Sequence, residues 1–189
     1  MASSDVKICN EALLLLGQEA ILSLTQDDNN ARACNLIYVP TRDEVLRAFP
    51  WNFATVRTSL ARIGDETPAF GFDYFYQLPA DCLRVLGMDD PEYHYAIEGD
   101  RLLCNYETAN IFYIKRITNP NLFDSIFVTA LALRIASKLA VRIKKSQGAA
   151  DDLLKQYILF VGVDESICSQ EGTAGKIRAE RWVEEHEGD

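Results

Sequence analysis

The chain has 189 residues, 48% of them apolar and 25% charged, which suits a globular domain with a proper core and excludes one left disordered for want of apolar residues. Its net charge of −9 opposes attraction to phosphate backbones and anionic membrane surfaces, so a surface-wide nucleic-acid binder is not expected. No apolar run approaches the ~20 residues that span a bilayer, and the first residues lead into a helical pattern rather than a secretory leader, so the expectation is a chain made and kept in a cytoplasm.

Ser4 or Asp5 can cap a first helix whose apolar face is Val6, Cys9, Leu13 and Leu16, with Gly17 as its left-handed stop. The polar cluster Asp27 to Asn30 is rich in capping residues and starts a second helix. In Ala31 to Ala54, Cys34, Ile37, Tyr38, Val45, Leu46 and Phe49 recur at helical spacing and mark a buried face. Pro40 lies inside this helix and predicts a bend near Leu36 to Tyr38. Pro50 ends it and delivers Trp51 and Phe53 into an extended segment.

All six prolines lie between Pro40 and Pro120, and fifteen of the nineteen aromatic residues lie between Phe49 and Phe127, so the middle of the chain is built differently from its ends. There the period shifts toward two. Tyr74 to Leu78 and Cys82 to Met88 read as strands, and Tyr93, Tyr95 and Ile97 share a strand face. Gly99-Asp100 reverses the chain into Leu102, Cys104 and Tyr106, and Ile111 to Arg116 predicts a strand buried on both faces. After Pro120 two helices follow: one carrying Phe127, Leu131, Ile135, Leu139 and Ile143, the other, beyond a break at Gly148, carrying Leu153, Leu154, Tyr157, Val161 and Ile167. The predicted fold is α+β, a bundle of about four helices with an inserted small antiparallel β-sheet or open barrel. Its parts are 1–50 (helices), 51–120 (β-rich insertion), 121–168 (helices) and 169–189 (an extended tail).

Motifs for chemistry are sparse. Cys9, Cys34, Cys82, Cys104 and Cys168 are dispersed and read as reduced core residues, and His94 and His186 lie too far apart to found a metal site, so neither metal nor cofactor is expected. Glycine-rich phosphate loops, nucleophile elbows and zinc-protease spacings do not occur. The carboxylate pairs Asp27-Asp28, Asp89-Asp90 and Asp151-Asp152 fall at turns or helix starts, where acids cap. Tyr93, Tyr95, Tyr106 and Tyr113 could form a base-stacking platform, but with few basic neighbours they read as sheet packing. No catalytic residue is nominated, and the chain reads as a non-enzyme.

Charge is distributed unevenly. Asn121 to Gly148 holds five basic residues and one acidic, whereas Asp164 to Asp189 holds eight acidic and three basic. Arg134, Lys138, Arg142 and Lys145 form a basic ladder along one helix. In a monomer this is a solvated face; repeated head to tail around a ring it would fix subunit orientation, which makes these four residues candidates for a subunit interface. Ile177, Trp182 and Val183 are the apolar anchors of the tail and candidates for insertion into a partner.

Two stretches, RACNLIYVPTRDEVLRAFPWNFA and FGFDYFYQLPADCLRVLGM, together resemble the tail tubular protein A family, the head-to-tail adaptors of short-tailed bacteriophages, over roughly Asp5 to Gln156. The resemblance implies a virion structural protein, assembled in the host cytoplasm, in a homo-oligomeric ring of twelve below the portal protein. Its tail would reach the portal, a nozzle protein would attach below, and genomic DNA would pass through without sequence-specific binding. Arg42, Asp43, Trp51 and Phe53 then read as the structural corner between bundle and sheet. The competing expectations are a virion-associated peptidoglycan hydrolase built on a carboxylate pair and a small DNA-binding module using the basic ladder.

Overall fold

The computed structural model of the chain describes residues 4–64 and 66–168. The first helix, α1, spans Asp5–Leu15, and the Ser4 hydroxyl accepts from the Lys7 N–H at 3.2 Å to cap it. Beyond its last turn, Gly17 has φ +61°, the Gln18 N–H reaches the Leu13 carbonyl at 2.9 Å and the Gly17 N–H reaches that of Leu14. These two bonds satisfy carbonyls that the helix itself leaves free. Asn10 then holds the following loop from inside, its side chain donating to and accepting from the Ile21 backbone at 2.9 and 2.8 Å.

Helix α2 spans Asn29–Ala48 and is capped by Asp28, whose carboxylate accepts from the Asn30 and Ala31 N–H groups. The helix runs without a break through Pro40. Pro40 faces outward beside exposed Leu36 and Val39, so the carbonyl that loses its partner lies on the side that water can reach. Helices α3 (Ser125–Lys144) and α4 (Gln147–Cys168) complete the bundle. Helix α3 is its axle: α1, α2 and α4 all pack on it, and Phe127, Leu131, Ile135 and Leu139 lie in the core. The break between α3 and α4 falls at Lys145, which adopts φ 53°, rather than at Gly148, which lies inside the first turn of α4.

Between α2 and α3 the described residues form seven strands, more than the four or five expected: β1 (Thr55–Ser59), β2 (Ala61–Arg62), β3 (Tyr74–Gln77), β4 (Cys82–Met88), β5 (Tyr95–Glu98), β6 (Arg101–Cys104) and β7 (Asn110–Lys115). They make two antiparallel sheets, ordered β1-β7-β4 and β2-β3-β6-β5. β1 and β2 are one path broken at Leu60, whose N–H bonds the Ala109 carbonyl at 2.8 Å. The β5–β6 hairpin turns at Gly99-Asp100, with Gly99 at φ +62°.

β7 is buried on both faces. Ile111 and Tyr113 enter a small core between the sheets with Tyr76, Met88, Leu102 and Cys104, whereas Ile114 enters the helical core. In β4, register irregularities at Cys82/Arg84 and Val85/Gly87 let Leu83 and Leu86, three apart, both pack on the helices while Cys82 and Val85 face the sheet core. The fold is therefore α+β, four helices with an antiparallel β insertion.

Two stability outcomes follow from these placements. Lys145→Gly removes a side chain from left-handed backbone and should raise stability by about 1 kcal/mol, read as a higher urea midpoint. Trp51→Ala empties a site that is 2% exposed and should cost about 3 to 5 kcal/mol in the same titration.

Candidate functional site

The described residues bring Arg42, Asp43, Trp51 and Phe53 together at the joint between bundle and sheet. Trp51 follows Pro50, and a single 3-10 turn at Asn52–Ala54 leads from it into β1. Its ring meets Phe49 and Phe127 edge-on at centroid distances of 5.1 and 5.2 Å, and Phe53 meets Phe127 at 5.2 Å. The indole N–H donates to the Val45 carbonyl at 2.9 Å, one of the carbonyls left free where α2 ends. On the neighbouring face buried Arg42 donates twice to one Asp43 oxygen, at 2.9 and 2.7 Å, and Arg116 donates to the other at 2.9 Å.

Arg47 donates to the Leu83 carbonyl, and Arg84 to the Ala48 carbonyl at 3.5 Å. The end of α2 is thus tied to β4 by an exchange of guanidinium and carbonyl groups, and cations suit that helix end. The joint holds four arginines and one aspartate, a positive zone in an acidic chain. Nothing in it supplies a nucleophile beside a base; its geometry is that of a brace.

The basic ladder is split. Arg134 donates from Nε to Glu44 at 2.8 Å, with Nη2 at 2.6 Å, and lies over the Tyr157 ring of α4 at 5.8 Å. Lys138 pairs with the other Glu44 oxygen and donates to the buried Thr41 hydroxyl at 3.1 Å. Two of the four residues expected at a subunit interface are therefore engaged inside the chain, by an acid about ninety positions away that no local pattern announces. Arg142 and Lys145 are exposed where α3 turns into α4. Ile177, Trp182 and Val183 lie outside the described residues.

Burial would push the Glu44 carboxyl up, but hydrogen bonds and positive charge from Lys138 and Arg134 outweigh it and hold the group below the usual carboxylate range. Elsewhere, Tyr38 donates to Asp5 at 2.8 Å, and burial with that bond pushes its phenol up. A hydrogen bond to Cys34, together with burial, pushes the Cys9 thiol up. Cys9, Cys34, Cys82 and Cys104 are free thiols, three of them buried.

Beyond Ile114, on the same side of β7, two open hollows of about 430 and 500 Å³ flank Phe112, with Arg57 stacked on its ring at 4.8 Å. Asn110 lines the first and donates to Asp89 at 2.8 Å. Tyr93 and Tyr106 stack on each other at 3.7 Å beside the sheet core and Tyr113 lies within it, so the tyrosines serve packing. Asp28 caps α2 and Asp90 accepts from the Glu92 N–H within a turn, which accounts for two of the paired acids. Among the described residues no cluster of His, Cys, Asp or Glu could hold a metal ion, and no helix is long and apolar enough to cross a membrane. The chain matches no protein-family model and no curated protein.

The Glu44 cluster carries a pH signature. Because its folded-state value lies below its unfolded one, its contribution is present above the unfolded value and lost as pH falls through the folded one. Glu44→Gln should cost about 1 kcal/mol at neutral pH, and the gap to the parent should close in acid denaturation series below about pH 4.

Proposed function

We propose that this chain is a structural head-to-tail connector of a bacteriophage virion, a ring subunit between portal and tail nozzle through which DNA passes. The observation that carries the reading is the meeting, at one joint, of the two stretches that resemble the adaptor family. The RDEVLRAFPWNFA stretch supplies Arg47, Ala48 and Trp51, and the YQLPADCLRV stretch supplies Leu83 and Arg84, which exchange hydrogen bonds with Arg47 and Ala48. A fixed angle between two layers is what a ring subunit needs, and a brace of this kind supplies one.

Net charge supports the same reading. A surplus of nine negative charges disfavours capture of a passing phosphate backbone, which a basic lining would hold in a salt-dependent way. Of the four cations that a DNA-binding module would use, Arg134 and Lys138 already have a carboxylate partner. Of the paired carboxylates a hydrolase could draw on, Asp28 caps α2 and Asp90 holds a turn. Analogy of motif is the warrant for the virion setting, and the joint is its physical support.

Negative-stain micrographs of the purified protein mixed with the portal of the same virus test this. Rings of the chain seated on one end of each portal are the expected result. Portals that stay bare at every ratio would overturn the connector reading.

A further inference from the structure

Among the described residues, helices α2 and α4 each carry an apolar stripe that no other residue covers. On α2, Leu36 and Val39 are 74% and 51% exposed with Pro40 beside them; on α4, Ile158 and Leu159 are 58% and 68% exposed. Both helices pack on α3, so the two stripes point away from the same axle. Contiguous apolar side chains on an outer helix face are the signature of a contact surface, whereas single ones are ordinary.

We infer that the α4 stripe of one copy docks antiparallel on the α2 stripe of the next, a head-to-tail contact that rests on the connector reading above. The argument is one of register. With Val39 set against Leu159, an antiparallel helix places Pro40 opposite Ile158 and Leu36 opposite Gly162, where a Cβ would meet nothing within 4 Å and a leucine has room. From Val39 to Arg47 is eight residues, about 12 Å along a helix, and from Leu159 back to Asp151 is the same. Arg47 therefore falls opposite Asp151, and Asp43 opposite Lys155.

Arg47 and Asp151 are both exposed; Arg47 keeps its bond to the Leu83 carbonyl through Nη1 and has further N–H groups to offer Asp151, whose carboxylate also accepts from Gln147. Asp43 already accepts from Arg42 and Arg116, and Lys155 lies 3.6 Å from Asp152 of its own helix, so the pairing of Arg47 with Asp151 carries the complementarity. Parallel docking of the same apolar contact would set Asp151 against Ala31, which is buried, and would match neither pair. Pairing either stripe with itself about its apolar centre also leaves these charges unmatched. The contact is thus heterologous, and contacts of that kind close into rings when the rotation allows. Charge complementarity fixes the register, and apolar area supplies the adhesion.

Two blocked chains test it: Leu36→Glu with Val39→Glu, and Ile158→Glu with Leu159→Glu. All four positions are exposed, so thermal unfolding should match the parent and certify the fold. In sedimentation velocity up to about 100 μM, where contacts of modest area are populated, the parent should assemble and each blocked chain should sediment as a monomer. An equimolar mixture of the two should stop at a dimer, because only one intact α2–α4 contact can form.

A blocked chain that assembles as the parent does would overturn the docking surface while leaving the connector reading in place, since rings could form elsewhere. A blocked chain that dimerises alone would overturn the head-to-tail geometry. A parent that stays monomeric throughout would overturn self-docking, whereas bare portals in micrographs are what would end the connector reading. For the register, Asp151→Arg, at an exposed position outside the joint, should weaken assembly at least tenfold, whereas Asp151→Glu should leave it as in the parent; unchanged assembly of the reversed chain would overturn the antiparallel pairing.

Discussion

Trp51 has to satisfy two demands in one place: a bulky ring that gains from burial, and one indole N–H that must not be buried without an acceptor. Both are met where α2 ends. Pro50 has no N–H to offer the helix and turns the chain, so the last carbonyls of α2 need donors from elsewhere. The indole takes the Val45 carbonyl and Arg84 takes that of Ala48, while the ring fills the space among Phe49, Phe53 and Phe127. One residue thereby couples the end of a helix, the entry to the sheets and the first turn of α3. The direction in which β1 leaves the bundle follows from that coupling.

From β1 outward, two cores share one wall. β7 sends Ile114 into the helices and Ile111 and Tyr113 into the sheets, so neither core can shift without moving the strand between them. The β4 irregularities serve the same arrangement, because a regular strand could not aim Leu83 and Leu86 at one side. Polar braces then hold the angle. Asp43 joins α2 to the end of β7 through Arg116, and Glu44 joins α2 to α3 through Arg134 and Lys138. Each such pair contributes little to stability in partly exposed surroundings, but a group bonded on both sides has few alternative positions.

What the residues alone make legible divides by range. The caps at Ser4 and Asp28, the stop at Gly17, the Gly99-Asp100 turn and the double burial of Ile111 to Arg116 all follow from local chemistry, and each stands in the structure as read. Short strands escape such reading. Thr55–Ser59 and Ala61–Arg62 are strands because β7 and β3 pair with them, not because their own pattern alternates strongly. The break after α3 was misplaced for a related reason: Gly148 is the local favourite, but packing carries α3 on to a Lys145 that accepts left-handed backbone. At the site, the corner residues could be seen because proline and aromatics mark them. Glu44 could not, since its partners lie on a helix ninety positions later and only the packing of α2 on α3 makes them neighbours.

The fate of the basic ladder changes what its members can do. Arg134, bonded to Glu44 of α2 and laid over Tyr157 of α4, spans the axle and ties together the two helices whose outer faces remain apolar. In a head-to-tail ring the number of subunits depends on the angle between the surface each copy offers and the surface it receives. In the docking proposed above those surfaces belong to α2 and α4, so a residue that fixes their mutual orientation would act on ring closure from inside the subunit. A charge at the interface would set which copies attract; a charge inside the bundle sets the turn between one copy and the next. In such a ring Arg134 would bear on assembly through geometry rather than through contact.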